Sequence, residues 1–169
     1  MPLPPSPNQR RRLLAWALVL VALVVASTWT ALGNTWVQDD IFILFANEAV
    51  HSLTAPWGFF VTPYWPAPFP PHLYRPVTML LFAVQWAIGD GAPVVFRITS
   101  ILLYLGSTLA CWALARRLLP PAAAWGVAAL FAVHPVHVEA VAVAVNQSEL
   151  IVALVLMVAV SKWIDRRRA

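Results

Sequence analysis

Charged residues are scarce in this chain, at 11% of 169 residues, whereas hydrophobic residues make up 61%. A soluble domain of this size needs more charge at its surface and could not easily bury nine tryptophans. The single cysteine, Cys111, lies in an apolar run, which excludes a disulfide framework and a cysteine metal site. The sequence has no internal repeat and no low-complexity tail. The composition therefore predicts an integral, all-α membrane protein.

About four transmembrane helices are predicted from the apolar runs. The first run would reach about 31 Å as a helix, which matches the hydrocarbon core of a bilayer. A cleaved signal peptide is the alternative for this run, but its apolar stretch exceeds the usual length of about 7 to 15 residues. The predicted segments are a disordered leader over 1–12, spans over 13–33, 94–115, 121–134 and 147–164, an external loop over 34–93 and a basic end over 165–169.

The external loop is rich in aromatic residues, which favour the headgroup zone. Within it, 41–53 and 77–88 have helical character, and the proline-punctuated stretch 62–76 is expected to be extended. The helix over 77–88, about 18 Å long, is expected to lie along the membrane surface. The third span is also short, so three alternatives are open: it tilts, it continues past a kink at Pro135, or it lies in a thinned region of the bilayer. A capping box of Asn146 and Glu149 predicts the start of the last span.

The positions of the cations predict the orientation of the chain. All of them except Arg75 and Arg97 fall on one side of a four-span arrangement, which places both termini in the cytoplasm. Cations at the ends of spans do not indicate nucleic-acid binding, although the net charge is +4. Arg97, one turn inside its span, is expected to snorkel to the interface or to contact an anionic headgroup. The excess of arginine over lysine, with abundant Ala, Val and Pro, indicates a GC-rich bacterial genome and a bacterial cytoplasmic membrane.

Two adjacent carboxylates, Asp39 and Asp40, lie just beyond the first span, at the depth where a membrane meets water. Neighbours on a helix do not face the same way, so one carboxylate would aim at a substrate and the other would orient or cap. A carboxylate near the interface can act as a general base, with its pKa set by burial and by neighbouring charge. The alternative is a solvated acidic start that caps the run after it.

Polar residues from distant parts of the chain converge on the external face in this topology. Arg75 can pair with a phosphate, and the aromatic surround can hold a lipid chain. His134, His137 and Glu139 could instead form part of a metal site, but Pro135 disturbs the helix there, and the histidines are more simply expected to shape the loop. The set predicted to meet is Asp39, Asp40, Tyr74, Arg75, His134, His137, Glu139 and Glu149.

Four strings of this sequence carry a family resemblance: WVQDD at 36–40, YRPVTMLLF at 74–82, FR at 96–97 and HPVHVEAVA at 134–142. In this order, the strings resemble the amino-terminal membrane part of the transmembrane and tetratricopeptide-repeat mannosyltransferases. These proteins and their bacterial relatives have the type C glycosyltransferase fold. The most specific string is the histidine-containing one between two spans, and the resemblance covers 13–164.

The resemblance implies an enzyme that transfers a sugar, with mannose as one candidate, from a polyprenyl-phosphate donor to a protein or glycan acceptor on the external face. It implies that Asp39 or Asp40 is the base, that Tyr74 and Arg75 lie near the donor phosphate, and that Glu139 and Glu149 complete an acidic, polar wall. His134 and His137 are further candidate substrate-binding residues. Its partners would be membrane lipids, donor and acceptor, without nucleic acid. No cofactor is predicted, and the need for a divalent cation stays open.

The sequence also departs from the family pattern. Asn146, Gln147 and Ser148 precede Glu149 where many relatives carry a basic residue, and Ser100 and Tyr104 replace an expected Asn and His. Such enzymes have more spans, so we expect the first part of a longer protein, a truncated frame or a small protein that reuses the module. The alternative function is a non-catalytic multi-pass protein, or a remnant, that acts in lipid binding or assembly.

Overall fold

The computed structural model describes residues 6–71 and 73–168, and over these residues the chain is helical and forms no strand. Three helical stretches are long and apolar enough to cross a membrane. One bent pair of helices would make a fourth span if its two parts cross together. The predicted all-α membrane fold is confirmed. The helices are α1 (Pro7–Thr28), α2 (Pro76–Gly89), α3 (Pro93–Leu118), α4 (Pro121–Val133), α5 (Val138–Ala142) and α6 (Gln147–Arg168).

Helix α1 begins earlier than the sequence predicted. Ser6 is its N-cap and forms a capping box with Gln9, and Pro7 occupies the first helical position, where its missing N–H costs nothing. The predicted disorder of the leader 1–12 is therefore wrong over residues 7–12, which are helical. Residues 1–5 lie outside the described part of the chain.

Helix α3 is the centre of the bundle and packs against α1, α4 and α6. Its inward face buries small polar side chains, among them Ser100, Ser107 and Thr108. The Ser107 hydroxyl donates to the carbonyl oxygen of Leu150 on α6 at 3.3 Å, an interhelical contact that small residues permit. Large apolar side chains such as Leu102 and Val155 are exposed on the outer faces. The bundle is therefore apolar outside and partly polar inside, as a membrane environment requires.

The short third span is bent, as Pro135 predicted. Helix α4 ends at Val133, and its axis makes an angle of 47° with the following segment Pro135–Ala142. Proline cannot donate the helical hydrogen bond and clashes with the preceding turn, which accounts for the bend. The chain then enters α6 at Gln147, the predicted residue. The Asn146 amide donates to the carbonyl oxygen of Glu139 at 3.2 Å and so ties this start to the bent segment.

The external loop folds into a compact cap over one end of the bundle. The helical character predicted over 41–53 takes the form of a π-helix (Ile41–Phe45) and a 3-10 helix (Glu48–His51). The break occurs because the Asn47 side chain accepts a hydrogen bond from the backbone N–H of Ala49 at 3.2 Å and starts a new turn.

The helix predicted over 77–88 is confirmed, since α2 spans Pro76–Gly89. Its position on the membrane surface stays a prediction. The cap and the first turns of α3 share one apolar core with 143–145.

Candidate functional site

A strained turn leads into the two adjacent carboxylates. Gln38 has a φ of +50°, in the left-handed region that residues other than glycine rarely adopt. The backbone N–H of Asp40 donates to the carbonyl oxygen of Val37 at 3.0 Å, which closes the turn. After it, Asp40 is fully buried, whereas Asp39 is exposed. The prediction that adjacent carboxylates would face different ways is borne out in this arrangement.

Asp40 joins three distant segments of the chain. Its carboxylate accepts hydrogen bonds from the backbone N–H groups of Ala144, at 3.2 Å, and Val145, at 3.0 Å. These residues begin the short helix Ala144–Asn146 that leads into α6, so the carboxylate caps a helix start from across the fold. Its Oδ2 atom lies 2.9 Å from Nη2 of Arg97. Asp40 is therefore an orienting group, with its oxygens already engaged.

Arg97 is the buried partner of Asp40. Its Nη2 also donates to the carbonyl oxygen of Thr35 at 2.6 Å, and the side chain has no exposed surface. The prediction that Arg97 snorkels to the interface or contacts a headgroup is therefore wrong. A cation in an apolar span needs a counter-charge or a route to water, and the loop that follows α1 supplies the counter-charge. The Arg97 Nε and Nη1 atoms have no hydrogen-bond partner among the described residues.

Arg75 and Glu149 meet at the rim of the cap. Their side chains form an ion pair at 3.4 Å, and Arg75 also donates to the Ser148 hydroxyl at 2.8 Å. Arg75 ends the loop before α2, and Ser148 and Glu149 lie in the first turn of α6. The pair is solvent-accessible, with 29% of the Arg75 side chain and 64% of the Glu149 side chain exposed. A ligand phosphate can therefore reach this guanidinium.

Tyr64 links the Arg75 rim to the acidic pair, and sequence reasoning missed it. The Arg75 guanidinium lies 5.1 Å from the centre of the Tyr64 ring, and the ring itself is buried. Burial raises the pKa of the Tyr64 hydroxyl, the Arg75 charge acts against this, and the carboxylates of Asp40 and Asp39 add to it. The Tyr64 hydroxyl lies 3.5 Å from the carbonyl oxygen of Val145, and the N–H of the same residue donates to Asp40, so Tyr64 connects Arg75 with Asp40. The cluster of aromatic residues in the loop gave no signal that would separate Tyr64 from the others.

An apolar groove runs away from the Arg75–Glu149 pair. Its volume is about 280 Å³, and it lies between the start of α2 and the first turns of α6. The groove combines a charged mouth with aliphatic walls, an arrangement that suits an amphipathic ligand with an anionic head. Its lining residues are Arg75, Pro76, Val77, Thr78, Ser148, Glu149, Ile151 and Val152.

The two histidines of the 134–142 string belong to a different cluster. His134 is exposed, and its Nδ1 accepts a hydrogen bond from the backbone N–H of Val136. His137 Nδ1 lies 2.9 Å from the Tyr104 hydroxyl and 3.1 Å from the carbonyl oxygen of Phe131. No hydrogen bond joins either imidazole to the Asp40 or Arg75 side chains within the described ranges. Both histidines therefore shape the bend after α4 in this structure.

Tyr74 and Glu139 also make contacts other than those predicted. The Tyr74 hydroxyl donates to the carbonyl oxygen of Phe60 at 2.7 Å and so ties the loop to itself. Glu139 is exposed, and the alternative metal site around it gains no support, since residues 6–71 and 73–168 hold no group of three potential metal ligands. Of the predicted set, Arg75 and Glu149 form an ion pair, and Asp40 is linked to them indirectly. Asp40 accepts from the N–H of Val145, whose carbonyl oxygen lies 3.5 Å from the hydroxyl of Tyr64, and the ring of Tyr64 contacts Arg75.

A buried amide pair, also missed from the sequence, lies beside this site. Gln85 on α2 and Gln147 at the start of α6 exchange two hydrogen bonds of 2.9 Å. Nε2 of Gln147 also lies 3.0 Å from the carbonyl oxygen of Phe96 and 3.3 Å from the Ser100 hydroxyl, so its two N–H groups are shared among three acceptors. Gln147 and Ser100 are two of the positions at which this chain departs from the family pattern. The departures here form a mutually satisfied network that holds α2, α3 and α6 together.

Comparison with curated proteins finds similar sequences among protein O-mannosyl-transferases. Protein O-mannosyl-transferase Tmtc2 of Drosophila melanogaster is 37% identical over 128 residues, which cover 70% of this chain and 13% of that protein. Protein O-mannosyl-transferase TMTC4 of Homo sapiens is 30% identical over 159 residues, with 82% and 22% covered. Protein O-mannosyl-transferase TMTC3 of Mus musculus is 27% identical over 137 residues, with 79% and 15% covered.

The similarity covers most of this chain, and it confirms the predicted resemblance to the transmembrane mannosyltransferases. The chain spans only 13 to 22% of the length of these three relatives. No family model matches the chain, and no solved structure matches it. These relatives are animal proteins, so the bacterial membrane inferred from composition stays a prediction.

Proposed function

We propose that this chain forms the acidic acceptor site of a membrane glycosyltransferase. The enzyme transfers a sugar, mannose by similarity to the relatives, from a polyprenyl-phosphate donor to a hydroxyl group of a protein. The observation that carries the proposal is the division between neighbouring carboxylates, since Asp40 is buried and fully bonded while Asp39 is exposed beside it. One carboxylate holds the site together, and the other is free to meet a substrate.

In this reaction, the hydroxyl oxygen of the acceptor attacks the anomeric carbon of the donor sugar, and Asp39 accepts the proton of that hydroxyl. The bond between that carbon and the phosphate oxygen breaks as the new glycosidic bond forms, and polyprenyl phosphate leaves with the electron pair. Arg75, which lies against the Tyr64 ring and is accessible at the rim, binds the phosphate, whose charge grows as it leaves. Glu149 orients Arg75 until the donor arrives.

The groove beyond Arg75 supports a lipid-linked donor over a soluble one. A nucleotide sugar would require polar contacts for its base and ribose, whereas the uncharged lining of the groove is mainly apolar, with two hydroxyl side chains. These residues are Pro76, Val77, Ile151 and Val152, with Thr78 and Ser148. An isoprenoid chain matches such a surface because it buries apolar area without leaving polar groups unpaired. We place the site on the external face, with both termini in the cytoplasm, because the cations concentrate at the opposite ends of the spans.

The test is transfer activity of a protein that contains this module, measured in membranes with polyprenyl-phosphate mannose and an acceptor peptide. Asp39→Asn keeps the size of the side chain but removes the base, so we expect at least a hundredfold loss of transfer with unchanged membrane insertion. Asp90→Asn is the matched control, because Asp90 lies in the turn after α2 with φ +48°, a conformation that asparagine tolerates.

Wild-type transfer by Asp39→Asn would exclude Asp39 as the base. If transfer also persisted in Arg75→Gln, the chain would fit the alternative reading of a non-catalytic multi-pass protein. Transfer from a nucleotide sugar, without transfer from a polyprenyl-phosphate sugar, would overturn the proposed donor class. It would leave the role of Asp39 intact.

A further inference from the structure

A second cavity lies at the opposite end of the bundle from Asp39. Its volume is about 290 Å³, and it opens between the first turns of α1, the last turn of α3 and the start of α4. Asp39 follows the far end of α1, so the two sites are separated by the length of that helix. The lining residues are Gln9, Arg12, Leu13, Trp16, Arg116 and Pro121.

Two cations face this cavity without an anionic partner. The guanidinium of Arg12 lies 4.6 Å from the centre of the Trp16 ring, and that of Arg116 lies 5.3 Å from the centre of the Trp112 ring. No carboxylate forms an ion pair with either arginine within the part of the chain that the structure describes. Stacking on an indole uses the face of a guanidinium and leaves its N–H edge available, the edge that binds phosphate oxygens.

Arg117, next along α3, has a different role. Its guanidinium makes two hydrogen bonds to the Asp165 carboxylate, at 2.8 and 2.7 Å, and so joins α3 to α6. Asp165, the acidic residue at this end of the bundle, is therefore bound to Arg117, which does not line the cavity. This arrangement leaves a net positive charge at the cavity itself.

The floor of the cavity is apolar and fixed in place. Leu13, Trp16 and Pro121 provide the surface, and the Trp125 indole N–H donates to the carbonyl oxygen of Trp16 at 3.1 Å, which links α4 to α1. The capping box between Ser6 and Gln9 fixes the first turn of α1, where Gln9 lines the cavity. A free phosphate ion would use the cations and leave this floor exposed to water, whereas a lipid would cover both.

We propose that this cavity binds an anionic phospholipid, with its phosphate between Arg12 and Arg116 and the glycerol and first acyl carbons on the apolar floor. The charge count assigns this end of the bundle to the cytoplasm, and the cytoplasmic leaflet is the one that carries anionic lipid. The proposal does not depend on catalysis at Asp39, so either can fail without the other.

The test is lipid binding to the full chain in detergent, measured by native mass spectrometry with phosphatidylglycerol and phosphatidylcholine of identical acyl chains. We expect phosphatidylglycerol to bind about thirtyfold more tightly, the effect of two cations close to an anionic lipid. The double variant Arg12→Gln, Arg116→Gln should bind the two lipids equally. The matched control is Arg10→Gln, Arg11→Gln, which removes the same charge from the same end outside the cavity and should retain the preference.

Equal binding of the two lipids by the wild-type chain would overturn the proposal without any variant. An equal loss in both double variants would assign the preference to general surface charge. Displacement of phosphatidylglycerol by glycerol phosphate at matched concentration would identify a site for a free anion instead of a lipid. Circular dichroism of the variants establishes that helicity is retained, and Arg12→Lys, Arg116→Lys should keep most of the preference if charge carries it.

Discussion

Two ion pairs at the same end of the bundle differ in nearly every physical respect. Asp40 and Arg97 lie 2.9 Å apart with no exposed side-chain surface, whereas Arg75 and Glu149 lie 3.4 Å apart at an accessible rim. The buried pair carries additional backbone contacts on both partners. Removal of one partner from a buried pair leaves an uncompensated charge, while an exposed pair exchanges its partner for water at little cost. The buried pair fixes the site, and the exposed pair is available to a ligand.

Of the variants that test this difference, Arg97→Met should have the largest effect on stability. Methionine fills a similar volume without the charge and leaves Asp40 buried without its cation, so we expect the free energy of unfolding to fall by about 3 to 5 kcal/mol. Denaturant titration in detergent, followed by tryptophan fluorescence, measures the loss. The double variant Asp40→Asn, Arg97→Met should recover part of it, because no isolated charge remains. A loss below about 1 kcal/mol in the single variant would contradict the structural role of the pair.

Gln147→Leu tests a buried polar pair without charge. It leaves Oε1 of Gln85 without its donor, so we expect a loss of about 1 to 3 kcal/mol in the same titration. The Gln85 N–H keeps the Leu81 carbonyl oxygen, and the Phe96 carbonyl oxygen keeps the Ser100 hydroxyl. The variant Gln85→Leu, Gln147→Leu removes both amides and should be closer to the wild type. If Gln147→Leu lowered the free energy of unfolding as much as Arg97→Met, burial of a polar group would explain both losses. The charge of Arg97 would then make no separate contribution.

Arg75→Gln should have the smallest effect on stability. Exposed pairs contribute about 0.2 to 1 kcal/mol, so the variant should unfold within about 1 kcal/mol of the wild type. Arg117→Gln is a close match, since Arg117 is 27% exposed and also pairs across helices, at the far end of the bundle. In a protein that contains this module, transfer should fall for Arg75→Gln and remain for Arg117→Gln. Equal transfer by the two variants would remove Arg75 from the donor site.

The membrane spans could be predicted because hydropathy and bilayer thickness constrain them directly. The residue at which α6 begins is confirmed, and of the three alternatives for the short third span the structure shows the bend at Pro135. The helical character expected over 41–53 is present over 41–45 and 48–51, and the Asn47 side chain caps a second turn between them. Local signals of this kind are too weak to read without the surrounding contacts.

The site was harder to predict, because its contacts join segments far apart in the chain. Asp40 and Arg97 are separated by 57 positions, and no spacing rule connects them. The available signal was a lone cation inside a span at the same depth as two carboxylates, which argues for a partner. Tyr74, His134 and His137 were grouped with the acidic pair because they lie on the same predicted side of the membrane. Residues on one side of a membrane can still be far apart. The role of Asp39 as base stays a prediction.

The Asp40–Arg97 pair also has a consequence for biosynthesis. The chain leaves the ribosome with the loop that carries Asp40 first, the segment of Arg97 second, and the N–H groups of Ala144 and Val145 last. Arg97 therefore enters the membrane when its counter-ion has already been made, and its burial does not have to wait for α6. A nascent chain halted after α3 should already protect Arg97, while the carboxylate that neutralises it still has its other two hydrogen bonds to make.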